Sequence, residues 1–233
     1  MVPTGPNGPN CEVAGEPRLL GAAPAVWWAN VMTIGKGTTW GTAGPLDDGA
    51  PVVNSDAALR AIAIEHLGAG HPPPMVGLTG GSLWRTVGGP AVPNRLSTSE
   101  AMHLPIDVIE VRIDETLTWF VSRLIARDRR RHRWLVAMNS QFEGVYQLGP
   151  RAHPGDGLVD VFQATLALSE LAKVAKRARH GTHLPHPDVT ERRAAHHLIT
   201  LDRALPVWLD GERVARGTTV ELTVLADAMI VVV

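Results

Sequence analysis

Ile106-Asp107-Val108-Ile109-Glu110-Val111-Arg112-Ile113 alternates apolar and polar side chains over most of its length, the two-residue period of a strand with one face against a core. The same signal repeats downstream. Leu117 to Ile125 follows it, and Trp134-Leu135-Val136-Ala137-Met138 is a third run. Asp160-Val161-Phe162, Leu198 to Leu201, Pro206 to Leu209, Thr219 to Leu225 and Ala228 to Val233 carry it to the last residue. Between them Leu166 to Arg179 has helical spacing through Leu168, Leu171, Val174 and Ala175, and ends in basic residues and Gly181 that suit a helix C-terminus. Residues 96–233 are therefore expected to form a β-sandwich with one helix.

Working upstream, the texture changes. Met75-Val76-Gly77-Leu78 reads as a buried strand after the Pro72-Pro73-Pro74 break. Before it, Ala57 to Leu67 reads as a helix with Leu59, Ile62 and Ile64 apolar, opened by Asn54-Ser55-Asp56 as turn and N-cap and closed by Gly68. Val52-Val53 supplies a short strand ahead of that turn. Residues 1–50 hold six prolines and nine glycines and read as mostly loop, with one strand through Val26-Trp27-Trp28. The fold class is thus α+β: a short, truncated α/β portion over residues 1–95, then the sandwich over residues 96–233.

Composition narrows the function. The 233 residues are 45% hydrophobic and 19% charged, enough to bury a core. Lys and Arg number 22 against 23 Asp and Glu, a net charge of -1, which leaves no surplus of cations for a large nucleic-acid footprint. The lone Cys11 suits a reducing compartment. No export signal is read at the start, and no apolar run approaches the roughly 18 residues needed to span a bilayer. A soluble, cytoplasmic protein without a nucleic-acid partner is expected.

Several motifs invite chemistry. Gly35-Lys36-Gly37-Thr38-Thr39 lacks the earlier glycine and the Ser or Thr directly after Lys that a phosphate loop requires, and reads as a flexible turn. His180, His183 and His186 are spaced by three, but Gly181, Pro185 and Pro187 prevent a regular helix from aligning them, so loop and strand histidines are the better account. Arg123, Arg127, Arg129, Arg130, Arg131 and Arg133 form a basic hairpin. It is either a solvated turn or a patch for phosphate groups, with weak membrane-surface contact through Arg129 to Arg133. Trp27, Trp28, Trp40 and Trp84 fall in the loop-rich part, where they could line an apolar pocket. Asp156-Gly157-Leu158-Val159-Asp160 and Asp210-Gly211-Glu212 set carboxylates on tight glycine turns beside strands. Such turns are common in hairpins, yet they also allow carboxylates to converge on a cation or to act as a base.

Taken in order, Met138-Asn139, Gly144, Pro150-Arg151-Ala152, Pro154, Asp156 to Val161, Gly181, His183 and Val207 to Glu212 resemble the C-terminal β-sandwich half of the diacylglycerol kinase and bacterial lipid kinase family. The resemblance covers about residues 100 to 233, with a fainter continuation at Leu83-Trp84-Arg85-Thr86-Val87-Gly88. It implies Glu212 as general base, Asp156 and Asp160 as Mg²⁺ ligands, and an ATP site involving Asp56, Gly80, Gly81 and Arg85. It also implies a small amphiphilic or lipid-like ligand in the cleft. Where that family has glycines around its nucleotide turn, Val52 to Ala61 keeps the valines, Asp56 and Leu59 but has none of the three glycines, which elsewhere let amides approach phosphate closely. The expectation is a divergent member whose ATP-dependent phosphorylation is weakened or lost. The alternatives are an active atypical kinase that rebuilds a phosphate site from Gly80-Gly81 and the Gly35-Lys36-Gly37 loop, and a cleft reassigned to other chemistry or to a protein partner. Exposed strand edges also permit a homodimer.

Overall fold

The structure, a computed structural model, describes residues 40–89, 95–128, 130 and 132–233. The strand expected through Val26-Trp27-Trp28 and the turn at Gly35-Lys36-Gly37 lie outside the described residues.

After β1 (Thr42–Ala43) at one side of the sheet, β2 (Val52–Val53) runs into α1 (Asp56–Gly68). Ser55 starts this helix: its hydroxyl accepts the Ala58 amide at 3.2 Å, satisfying one of the donors that a helix N-terminus leaves unpaired. Leu59, Ala63 and Leu67, four residues apart, fall on one face and are buried. The chain returns through β3 (Val76–Leu78), parallel to β2. Next comes α2 (Gly81–Thr86), a short helix with no counterpart among the expected elements.

β4 (Met102–Ile113) contributes to two of the cores that the sheet carries. Because side chains alternate, Leu104, Ile106 and Val108 face one way and pack with α1, β3 and the end of the chain. Ile109, Val111 and Ile113 face the other way and enter the sandwich interior. The strand therefore buries one face in its first half and the opposite face in its second. Its partner β5 (Thr116–Phe120) is separated from β6 (Arg123–Asp128) by a break that interrupts the run expected over Leu117 to Ile125. The Asp210 carboxylate causes the break: it accepts the amides of Val121, Ser122 and Arg123, each at 2.9 Å, which removes them from any ladder.

β7 (Arg133–Met138), the small hairpin β8 (Phe142–Glu143) and β9 (Tyr146–Gln147), β10 (Val159–Thr165), α3 (Leu168–Ala178) and β11 (Val189–Ala194) continue the chain. Two long strands finish it, β12 (His196–Leu209) and β13 (Glu212–Val232). Each merges two runs that the sequence presents as separate. In β12 the pairing is irregular between Thr200 and Leu205, and in β13 it shifts between Leu225 and Met229, which is how bulges admit turn-like residues into one strand. The principal order is β1-β4-β13-β12-β6-β7-β10-β11. β13 also receives β3: Val231 and Val232 pair in parallel with Val76 and Gly77, so the strand-helix-strand unit and the sandwich share one sheet of eleven strands. Among the described residues no helix is long and apolar enough to cross a membrane.

Candidate functional site

The start of α1, the start of α2, the start of β6, the β8–β9 hairpin and the β12–β13 turn surround an open cleft of about 400 Å³. Of the candidate residues, Asp56, Gly81 and Arg85 line it. Gly80, the residue that precedes α2, is not part of the lining.

Asp56 is buried, and its two oxygens accept the amides of Ser82 at 2.9 Å and Leu83 at 3.0 Å, two of the donors that the first turn of α2 leaves without a helical partner. Arg123 Nη1 approaches the same carboxylate at 2.8 Å. The glycines opposite are shaped to this contact. Gly81 has φ +101°, and a Cβ there would lie 2.4 Å from Asp56 Oδ1; a Cβ on Gly80 would lie 2.5 Å from the Asn54 carbonyl oxygen. The turn after β2 and the turn after β3 therefore touch, with the Asp56 carboxylate between them. Only glycine permits that approach.

Arg123 also pairs with Glu143 on the β8–β9 hairpin, and its side chain is 11% exposed. Arg85 donates to the Gly144 carbonyl at 3.0 Å, with its guanidinium 3.9 Å from the centre of the Phe142 ring. The hairpin is thus tied to α2 and to β6 through two arginines. Such planar cations suit both a carboxylate and an aromatic face.

Asp210 and Gly211 form the two-residue turn between β12 and β13, with φ of 50° and 94°, the positive pair that an Asp-Gly hairpin supplies. Asp210 lines the cleft, but its oxygens are committed to the three amides already named. Glu212 lies outside the lining. Its carboxylate, 63% exposed, accepts from Nη1 of buried Arg60 at 3.2 Å, and Arg60 Nε donates to the Trp119 carbonyl at 2.8 Å. Glu212 thereby clamps α1 and β5 to the start of β13.

Asp156 and Asp160 are brought together, though not in the cleft. Arg193 of β11 pairs with Asp156 and sets Nε 3.1 Å from Asp160 Oδ1. Asp160 is 1% exposed, and neither of its carboxylate oxygens receives a hydrogen bond; burial pushes its carboxyl up to about 6, with Arg193 the largest opposing influence. A Mg²⁺ ion needs an octahedral shell with carboxylate or other oxygen donors. Here two carboxylates enclose a guanidinium, and among the described residues no three His, Cys, Asp or Glu side chains are grouped to hold a metal. The donor set does not fit the ion.

Asp107 lies on the face of β4 opposite Ile106 and is fully buried. Its oxygens accept the Gly157 amide at 2.8 Å and the Asp227 amide at 3.0 Å, and its carbonyl accepts Asn139 Nδ2 at 2.9 Å. Asn139 and the Asp156-Gly157 turn, both part of the family-like succession, thus brace β4. Burial pushes the Asp107 carboxyl up to about 7 against the pull of its two amides, and does the same to Asp210. Between the unfolded value of 3.8 and about 7 the folded chain holds a proton that the unfolded chain releases, so this contribution to stability is lost as pH rises through that window. His153, His183 and His197, lowered by burial, act in the opposite direction below about 6.5. The comparison that isolates Asp107 is Asp107→Asn against the parent: the difference in Tm is expected to move in favour of the variant from about pH 5 to about pH 8. A difference that stays constant would exclude a raised carboxyl.

Some participants were not legible as such. The sequence groups Arg123 with the basic turn, whereas β6 carries it at one end and the turn at the other. The available signal was a lone charge within Phe120-Val121-Ser122-Arg123-Leu124, since a charge on a buried strand requires a partner. Glu143, Arg60 and Arg193 gave no such signal. Trp40 and Trp84 pack against the first core, while Trp27 and Trp28 lie outside the described residues.

Residues 107–233 match the family described as the YegS C-terminal NAD kinase beta sandwich-like domain. Two solved structures of candidate diacylglycerol kinases from Bacillus anthracis str. Sterne resemble the fold at 12% identity. One has a TM-score of 0.53 over 68% of this chain and 69% of its own. The other has a TM-score of 0.56 over 78% and 76%. At that identity the likeness is one of fold. A comparison with curated proteins finds no match. With the family match spanning more than half of the 233 residues and the sandwich observed strand by strand, the chain belongs to the YegS C-terminal NAD kinase beta sandwich-like domain family.

Proposed function

We propose that this chain is a divergent lipid-kinase-like protein that binds a small amphiphilic, hydroxyl-bearing ligand in the cleft, with ATP-dependent phosphorylation weakened or lost. In this reading residues 1–95 are a reduced nucleotide-binding-like portion and residues 96–233 are the sandwich. The observation that carries it is the Asp56 carboxylate. It accepts the Ser82 and Leu83 amides and pairs with Arg123, and free amides at a helix start together with a guanidinium are what a phosphate group would need. An internal anion already satisfies them. The acidic pair Asp156 and Asp160 likewise has an internal cation in Arg193. The cleft lining also includes the Ser55 and Ser82 hydroxyls, which accept from the Ala58 amide and from Arg123 and keep their own protons to donate, groups that suit a hydroxyl rather than a triphosphate.

Thermal shift tests this directly. A short-chain diacylglycerol is expected to raise Tm, and ATP with Mg²⁺ at millimolar concentration is expected to leave it unchanged. A nucleotide present at 100 times its Kd would add about 2.7 kcal/mol and show plainly. The second reading, an active atypical kinase of a lipid or small-molecule hydroxyl, is favoured by Arg85 and Arg123 lining one cleft. It requires that ATP raise Tm and that Glu212→Gln abolish turnover while sparing nucleotide binding.

A further inference from the structure

A second concavity of about 470 Å³ lies at the far end of β6, where Arg127, Arg130, Arg203 and Arg216 line it together with Trp208. β6 carries Arg123 at the cleft and Asp128 at this end, five steps apart or roughly 17 Å. Arg127 is stacked between two indoles, 5.5 Å from the Trp134 ring and 5.2 Å from the Trp208 ring. Arg203 pairs with Asp128 at 3.3 Å, and Arg133 pairs with Asp202. Among the described residues, the guanidiniums of Arg130 and Arg216 face no carboxylate within ion-pair distance. Among the described residues five arginines stand against two aspartates here, a concentration of positive charge on a chain whose formal net charge is -1. Such a patch is attracted to an anionic surface.

The same end also presents an apolar group. The Leu166 amide donates to the His132 carbonyl at 3.1 Å, which fixes the start of α3 beside the basic turn. Leu168, the first residue of α3, is 70% exposed, and Lys173, Lys176 and Arg177 lie exposed along the same helix. We infer that this end of the sandwich docks on the surface of an anionic bilayer, with the arginine concavity taking lipid phosphates and Leu168 entering the headgroup region. Guanidinium forks match phosphate oxygens, and indole rings and long cationic side chains favour the membrane-water boundary. Duplex nucleic acid offers phosphates as well, but gives a protruding leucine no apolar medium. The inference goes beyond the cleft reading and does not depend on it, since binding is measured without nucleotide or cleft ligand.

Vesicle flotation of the full chain tests it. Binding is expected to vesicles of phosphatidylcholine mixed with phosphatidylglycerol and not to phosphatidylcholine alone, and to be lost at high salt. Arg130→Glu combined with Arg216→Glu, both on exposed side chains, is expected to lower partitioning by roughly thirtyfold or more. Leu168→Ser keeps the charge and is expected to weaken partitioning severalfold, which keeps the test alive should the double variant misfold. Equal binding to both vesicle types, or partitioning that resists salt, would overturn the inference. Release by millimolar inorganic phosphate would instead indicate a soluble-phosphate pocket, and tighter binding to a short RNA duplex would indicate a nucleic-acid surface; either result would displace the bilayer.

Discussion

Asp210→Ala is expected to reduce the free energy of unfolding by about 3–5 kcal/mol, because a buried donor left unpaired costs about 1–3 kcal/mol and this carboxylate accepts three. Those donors are the consecutive amides of Val121, Ser122 and Arg123, each at 2.9 Å. They lie where the chain leaves β5 for β6 and each has Asp210 as its acceptor, so alanine strands all three at once. Asp210→Asn separates this from a loss of volume. Oδ1 accepts Ser122 and Arg123 and Oδ2 accepts Val121, so an amide side chain can keep two of the three bonds while its NH₂ faces the third donor. Its cost is expected to lie between those of the parent and of alanine. Urea denaturation measures both, and a cost under about 1 kcal/mol for alanine would show that the β5–β6 break is held by something else.

The second large effect is expected at Arg123. Its guanidinium pairs with Asp56 at 2.8 Å and with Glu143, with Asp56 5% and Glu143 33% exposed. Removing one member of a buried ion pair leaves an uncompensated charge, which costs about 3–5 kcal/mol. Arg123→Met keeps much of the volume and is expected to fall near the lower end, since Asp56 retains the Ser82 and Leu83 amides. A double-mutant cycle with Asp56→Asn is expected to give a coupling above about 1 kcal/mol. Additive losses would mean that Arg123 acts through Glu143 alone. The cycle also probes the cleft, because Asp56→Asn replaces the internal anion with a neutral group. If that variant gains an ATP-dependent rise in Tm that the parent lacks, the carboxylate is what keeps phosphate out.

The β-rich second part, its one helix and the Ser55 start of α1 were all readable along the chain, because periodicity and capping are local properties. The long strands were harder to read. Thr200 to Leu205 and Leu225 to Met229 look like turns, yet the neighbouring strand carries the chain across each as a bulge. The run over Leu117 to Ile125 failed in the opposite sense, broken by a carboxylate 88 residues away from Ser122.

Sequence by itself determined the sandwich class and the acidic glycine turns, since alternation and Asp-Gly geometry depend only on near neighbours. Tertiary structure decided what those turns do. The commitment of Asp210 to three amides, of Glu212 to Arg60, of Asp160 to Arg193 and of Asp56 to a glycine turn and Arg123 depends on which charge arrives opposite each one. A buried carboxylate takes whatever donor the fold brings to it, because leaving it unpaired costs more than almost any other single feature of a core.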